Sequence, residues 1–515
     1  MKERATISAL EPAVRLSERE RKRITWGLTI GIFVSALEMT VVAAAMPTVA
    51  AHLGGFPQYS WIFSAFLFAS TITLPVWGKL SDLYGRKRFY LLGLALFLLG
   101  SVLAGQSRTI GQLIAFRVVQ GLGAGALIPL GLTIAGEVLS FEERARKQAL
   151  FSSAWGIASV VGPIIGGYVT EHLSWRWVFY LGVPFGGVAA LLVGGALPTE
   201  TRRRSGGGVS IVEILALVGA SLSLLLLLEG HFSMRLSKML LALLVVSSII
   251  LFKVGRRNPD SLIPAEFFRE RTMGLSLLVS WLTGMVLLGA LGFFPLFVQG
   301  ALGGGPSLAG KSLLPIFLSW VIFSILASRL TLRVGFRPII VVAMLVLLVG
   351  FSWLTPVGGA PALGKVLGAL ALIGMGMGLS NVTILLLVQY SVPPDRLGRA
   401  TALVIFLRSL GGAIGANLLG TITTWRLRVL WSGRGEHMGV PLDVRLLEEF
   451  ISRRGAVISP IPSEALQHIL GRALQEAFVL GGIVAALALL AALFLPKGRT
   501  SRREERSESS LYPVS

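Results

Sequence analysis

The stretch SALEMTVVAAAMP, residues 35–47, sets one carboxylate, Glu38, in an almost wholly apolar run. A second such run, AFRVVQGLGAGALIP at 115–129, carries one guanidinium, Arg117. If these runs lie in a bilayer, each charge costs roughly 2.5–3.5 kcal/mol even on the lower scales, so an ionisable group there is a functional hypothesis by default. The rival reading for Glu38 is a protonated carboxyl donating one interhelical hydrogen bond. For Arg117 it is a structural tie between helices through backbone carbonyls. Burial favours the neutral form of a carboxyl and a neighbouring cation favours the charged form. A carboxylate held between those influences can exchange a proton for something else. With spans expected at 24–46 and 111–137, Glu38 stands eight residues before the end of one and Arg117 six after the start of the other. Both then lie about 10 Å below the same face at 1.5 Å per residue, which makes a pair geometrically possible.

Positioning these charges requires long apolar elements, and the composition supplies them. The 515 residues are 54% hydrophobic and 14% charged, with a mean hydropathy of +0.76, which is not a soluble composition. About twenty apolar residues make a spanning helix. Spans are expected near 24–46, 59–78, 89–107, 111–137, 148–170, 177–197, 209–230, 239–254, 273–298, 308–328, 338–355, 366–390, 399–424 and 474–495. The fold class is therefore an all-α integral membrane protein with fourteen spans. Its division is a basic tail 1–23, a six-helix bundle 24–197, a two-span insertion with its linkers 198–272, a six-helix bundle 273–495 and a tail 496–515.

The net charge of +21 reads as topology rather than as nucleic-acid binding, because 32 Lys and Arg fall in the segments of one side. The short loops of the other side hold few, among them Arg108, Arg176, Arg235 and Lys238. This positive-inside bias, with an even span number, puts both termini in the cytoplasm of a cell inner or plasma membrane. The 425–472 segment departs from it with seven Arg, as long translocated loops do. The tail feeding the first span is no cleavable signal. Zero cysteines exclude disulfides and thiolate metal sites, and all five histidines fall outside the spans. No span therefore offers a His cluster for metal or acid–base catalysis, and no extramembrane stretch is long enough for an active site, so an enzyme is not expected.

The chain also repeats itself. QGLGAGALI at 120–128 lies over IGMGMGLSN at 373–381, EERARK at 142–147 over PDRLGR at 394–399, GPIIGG at 162–167 over GANLLG at 415–420, and GKLSDLYGRK at 78–87 over SRLTLRVGFR at 328–337. Four matches in one order, at offsets of 250 to 253, define two six-span halves of the same orientation with two further spans between them. Parallel repeats of this kind enclose a midplane cavity and rock about it.

GKLSDLYGRKR at 78–88 resembles the signature loop of the major facilitator superfamily. AFRVVQGLGAGALIP resembles its fourth-helix motif, with a buried arginine. GIASVVGPIIGGYV at 156–169 resembles the fifth-helix motif typical of antiporters, carried by Gly156, Gly162, Pro163, Gly166 and Gly167. SWRWVFYLGVP at 174–184 and fourteen spans point to the drug/proton antiporter branch. LEMTVVAAAMP is similar to that branch's first-helix pattern, with Glu38 where aspartate is usual and Ala43 where asparagine is common. The resemblance covers about 24–425 and 474–495. It implies a proton-coupled exporter of hydrophobic or amphiphilic compounds, driven by the proton gradient without a cofactor and acting as a monomer. Glu38 and Arg117 would couple protons. Gly78, Asp82, Gly85, Arg86, Glu137 and Arg144 would form a cytoplasmic latch, against the plain alternative of a solvated loop. The fifth-helix glycines are read as close packing, with Pro163 bending the span.

Gln120, Trp155, Asn381, Arg408 and Asn417 are the candidates for a substrate cavity. Arg408, in FLRSLGGAIG, is a charge inside a span whose repeat counterpart is Trp155. It either faces the cavity and attracts anionic groups or snorkels to the surface. The tryptophans suit flat apolar cations, yet each taken singly reads first as lipid-facing or core packing. Export of a lipid, siderophore or other endogenous amphiphile is the alternative that Arg408 and the long 425–472 segment keep open. Within that segment, Val444, Leu447, Phe450 and Ile451 share one face of an expected amphipathic helix. After Ser463 a helix is expected to run into the last span.

Overall fold

The computed structural model describes residues 16–53, 59–198, 210–229, 233–258, 261–302, 308, 311–355, 363–393, 396–435 and 463–496. A helix lies over every expected apolar stretch: α1 Glu18–Leu53, α2 Tyr59–Tyr84, α3 Arg86–Gly105, α4 Ile110–Val138, α5 Phe141–His172, α6 Trp177–Ala196, α7 Ile211–Glu229, α8 Met234–Arg257, α9 Arg271–Leu296, α10 Leu314–Val334, α11 Phe336–Trp353, α12 Leu363–Ser391, α13 Leu397–Gly435 and α14 Ser463–Leu493. Helix is the outcome apolar surroundings impose, since it satisfies every backbone group within the segment. Among the described residues eleven helices are long and apolar enough to cross a membrane, and shorter apolar helices run over Ile211–Leu224 and Arg271–Leu287.

Several boundaries differ from expectation. The first helix begins at Glu18, inside the expected tail, because Ser17 and Glu20 form a reciprocal cap: Ser17 N donates to Glu20 Oε2 at 2.9 Å and Glu20 N to Ser17 Oγ at 3.3 Å. At the other end of the chain, α13 continues to Gly435, and α14 starts at Ser463 and runs unbroken into the last span. The expected amphipathic helix around Val444–Ile451 lies outside the described residues.

Packing follows the repeat. In the first half α1 packs on α5 and α6, and α4 on α2 and α3. In the second, α9 packs on α13 and α14, and α12 on α10 and α11, the same pairs shifted by eight helices. Among the described residues two glycines have positive φ, Gly85 (102°) and Gly335 (91°), and they occupy equivalent turns, α2–α3 and α10–α11. Only a residue without Cβ adopts that geometry cheaply. Two seams join the halves, α2 against α13 and α5 against α10. The inserted α7 and α8 pack on each other, and α7 touches both α2 and α13. Apolar side chains such as Met239, Leu241, Val245 and Phe252 point outward from α8.

Among the described residues, the end of the molecule that holds the turns at Gly85 and Gly335 carries most of the Lys and Arg and is called the basic end below. Toward it, α4 and α12 are enclosed on nearly all sides, from Gly123 to Val138 and from Gly376 to Gln389. Their opposite ends carry partly exposed and exposed residues, such as Gln112, Ala115 and Gly364.

Candidate functional site

Glu38 on α1 and Arg117 on α4 meet. Arg117 Nη1 donates to Glu38 Oε1 at 3.0 Å, and both side chains are 2% exposed. The guanidinium is held on other sides as well. It donates to Gln120 Oε1 at 2.7 Å and, through Nε, to the Ile62 carbonyl at 3.3 Å, and it lies 4.2 Å from the Phe66 ring centroid. Gln120 Nε2 donates to Ser101 Oγ at 3.0 Å, and Ser101 donates to the Phe179 carbonyl at 2.7 Å. One polar chain thus links α1, α4, α3 and the start of α6, with α2 touching it from the side. Both rival readings of Arg117 hold in one geometry, a carboxylate partner and a backbone-carbonyl tie.

Gln120 does not stand on a cavity wall. It is fully buried, and both ends of its amide are bonded within the first half. A polar residue in an apolar run shows that a partner exists but not which one. Here the neighbour one turn away, Arg117, claims it.

Two residues beyond Glu38, Thr40 Oγ1 donates to the Ala158 carbonyl of α5 at 3.0 Å. A methyl group on Gly162 would collide with Thr40, and one on Gly166 would lie 2.7 Å from the Val41 carbonyl. These glycines therefore serve the close approach of α5 to α1 beside the ion pair. On another face, Gly156 leaves no room for a side chain beside Val321 of α10, at the seam between halves. The helix continues through Pro163 and Gly167, whose side-chain surroundings, like those of Asn417, lie outside the described residues.

The charge cluster at the basic end also assembles. Asp82 pairs with Arg86, and Arg86 reaches Glu137 through Nη2 at 3.0 Å and through Nε at 3.1 Å. Ser81 Oγ accepts from Arg86 Nη1 at 2.7 Å. Across the seam, Asp82 Oδ2 accepts from the backbone N–H of Arg399 at 3.0 Å and pairs with its Nε at 3.4 Å. Arg399 stands in the first turn of α13, where N–H groups have no intrahelical partner, so Asp82 caps a helix of the opposite half. Gly78 lies against Ala402 and the Gly398 carbonyl, permitting that contact. Gln389 Nε2 adds a bond to the Leu132 carbonyl at 3.3 Å. Arg144 is near but differently engaged, with Nε donating to the Leu139 carbonyl at 2.9 Å.

One tie was missed in the sequence. Lys79 Nζ pairs with Glu213 Oε2 at 3.3 Å with both side chains 1% exposed, and the same oxygen accepts from Leu262 N at 3.3 Å. This fastens the start of α7, and the linker that leads to α9, to the basic end of α2. The available signal was a lone acid, Glu213, in the apolar run IVEILALVG. Acids in a first turn are ordinary there, since the helix dipole favours them.

Near mid-depth, Trp155 of α5 stacks on Trp320 of α10, centroids 6.1 Å apart, and Arg408 Nη1 donates to Asn381 Oδ1 at 2.6 Å. Arg408 and Asn381 are both partly exposed.

Two parallel six-helix bundles, with a buried carboxylate–guanidinium pair in one and a charge cluster across their seam, fit a membrane transporter, and the chain belongs to the Major Facilitator Superfamily, whose family model matches residues 28–416. It is a multi-pass membrane transporter rather than an enzyme. It is 33% identical over 417 residues to the multidrug transporter protein MdtP of Bacillus subtilis, covering 79% of this chain and 76% of the relative. It is 29% identical over 505 residues to multidrug resistance protein 3 of the same organism, covering 95% and 98%. Among solved structures, the human organic anion transporter MFSD10 is similar with a TM-score of 0.61 at 15% identity, covering 90% of this chain and 99% of that one. The proton:xylose symporter XylE is similar with 0.60 at 13%, covering 92% and 96%. These two likenesses concern the fold alone.

Proposed function

We propose that the protein is a proton-coupled antiporter that exports hydrophobic or amphiphilic compounds by alternating access, crossing an inner or plasma membrane fourteen times with both termini in the cytoplasm. The observation that carries this reading is the Glu38–Arg117 pair, enclosed in apolar surroundings at 3.0 Å. The multidrug names of the two bacterial relatives support the substrate class.

A proton arriving at a Glu38 carboxylate oxygen removes the charge that holds Arg117. Arg117 keeps its bonds to Gln120 and the Ile62 carbonyl, so it stays with α4 and α2, and what loosens is the hold on α1. The first helix is fitted to α5 through Thr40, Gly162 and Gly166, and α5 meets the second half at α10. A change at Glu38 thus bears on one seam between halves. At the other seam, Asp82, Arg86, Glu137 and Arg399, with Lys79 and Glu213, latch the basic end while the opposite end admits or releases substrate. Breaking a pair buried this way is strongly unfavourable unless both partners are satisfied elsewhere, so the latch holds two discrete states apart. The proton gradient supplies the driving force, with no cofactor, and a monomer contains every part required.

The alternative, export of an endogenous lipid, siderophore or other amphiphilic metabolite, is favoured by Arg408, a cation that a purely cationic drug would not match. The test is reconstitution in liposomes with an imposed pH gradient and a panel of dyes and lipids. Uphill movement that a protonophore abolishes is the expected result. Movement indifferent to pH would make the protein a uniporter and overturn the reading.

A further inference from the structure

The two halves do not treat equivalent mid-depth positions alike. Arg408 and Asn381 correspond, at the repeat offset of 253, to Trp155 and Ile128. The fold therefore builds the same positions from apolar side chains, and no packing rule of the repeat requires a cation there. Among the described residues the buried guanidiniums of Arg86, Arg117 and Arg399 each face a carboxylate. Arg408 has Asn381 instead, and among the described residues no carboxylate pairs with it.

The geometry around the pair has an order. Trp320 of α10 backs onto Gly378 of α12, where a side chain would meet the Trp320 carbonyl, and its ring stacks on Trp155 of the other half. Asn381 stands one turn further along α12, about 4.5 Å nearer the closed basic end. A guanidinium has donors only, so the oxygen of Asn381 must face it, and Nδ2 is turned away as a second donor. Two donors thus stand side by side on α12 and α13, partly exposed, with Asn381 one turn beyond the point where α12 meets Trp320 of the aromatic pair that bridges the halves.

We propose that Arg408 and Asn381 form an anion-recognition subsite: the acidic head of an amphiphile, a carboxylate or its like, binds Arg408 and Asn381 Nδ2 while its flat apolar body lies against Trp155 and Trp320. An uncompensated cation deep in an apolar bundle is costly, and an anion brought by the substrate offsets that cost on binding only. Substrate and counterion are then the same molecule. This rests on the export reading and narrows it to substrates carrying an acidic group.

The test uses the full chain in lipid nanodiscs with two probes of one body, 1-pyrenebutyrate and its trimethylammonium counterpart, binding being read by fluorescence. The acid is expected to bind about tenfold tighter or more, the scale of one or two charge-assisted hydrogen bonds. Arg408→Gln should erase the preference, Asn381→Asp, which gives Arg408 a counterion within the protein, should reverse it, and Arg408→Lys should keep part of it by retaining charge without the planar fork. Trp155→Ala should weaken both probes alike. An unchanged acid-to-cation ratio in Arg408→Gln, or in Asn381→Asp if the first variant does not fold, overturns the subsite. Should pH-driven transport persist alongside that unchanged ratio, the export reading stands without the subsite. Should an Arg408-dependent acid preference accompany transport indifferent to pH, the subsite stands and proton coupling falls.

Discussion

Glu38 and Arg117 are each anomalous alone and explained together. Their cost in an apolar run marked them in the sequence, and matched depth brought them into range, so this part of the site was legible from spacing. The rest of the network was not. Ser101, Phe66 and the Ile62 carbonyl are ordinary helix residues whose approach to Arg117 depends on how α2, α3 and α4 pack, and that packing is three-dimensional information. A pairing role has an energetic signature. Arg117→Gln alone should destabilise the protein by roughly 3–5 kcal/mol, the cost of orphaning one partner of a buried pair, whereas Glu38→Gln with Arg117→Gln should cost much less than the sum of the two singles. Thermal unfolding in detergent of the single and double variants measures this. Additive losses would show that the two side chains do not interact.

Among the elements, the seam between α2 and α13 carries the most polar chemistry, and the sequence showed half of it. The signature loop announced Asp82 and Arg86, but nothing in the sequence marks Arg399, which pairs with Asp82 from the other half. Nothing along the chain says that residues 82 and 399 become neighbours across the halves. Asp82→Asn removes the charge that holds Arg86 and Arg399 and weakens the cap on α13. The basic end should then open more often. Because the chain has no cysteine, a single one placed at the fully buried Ala402 reports this directly. Its alkylation should be faster in the Asp82→Asn background, and an unchanged rate would remove Asp82 from the latch. The inserted pair of helices enters the same seam through Lys79 and Glu213. Reversing both charges should restore most of the transport lost on Glu213→Lys alone. No rescue would mean that the tie acts through its surroundings and not through the pair.

For the molecule as a whole, the internal repeat was the most informative feature of the sequence. It fixed two halves, and the packing of α1–α6 recurs in α9–α14 down to the positive-φ glycines. In the proposed mechanism the departures from the repeat carry the function. Glu38 and Arg117 belong to the first half and Arg408 and Asn381 to the second, so on the proposed reading the proton site and the anion-binding donors sit in different bundles. In that reading a symmetric fold with asymmetric sites would couple two cargoes without placing them in one pocket. The central claim is that the coupling proton resides on Glu38, and Glu38→Gln in proteoliposomes tests it most directly. With a pH gradient as the only driving force, this variant should fail to move a pyrene-based substrate uphill. It should still exchange labelled for unlabelled substrate, since a neutral side chain leaves the rocking of the halves intact. Uphill transport by Glu38→Gln at the wild-type rate would contradict the account.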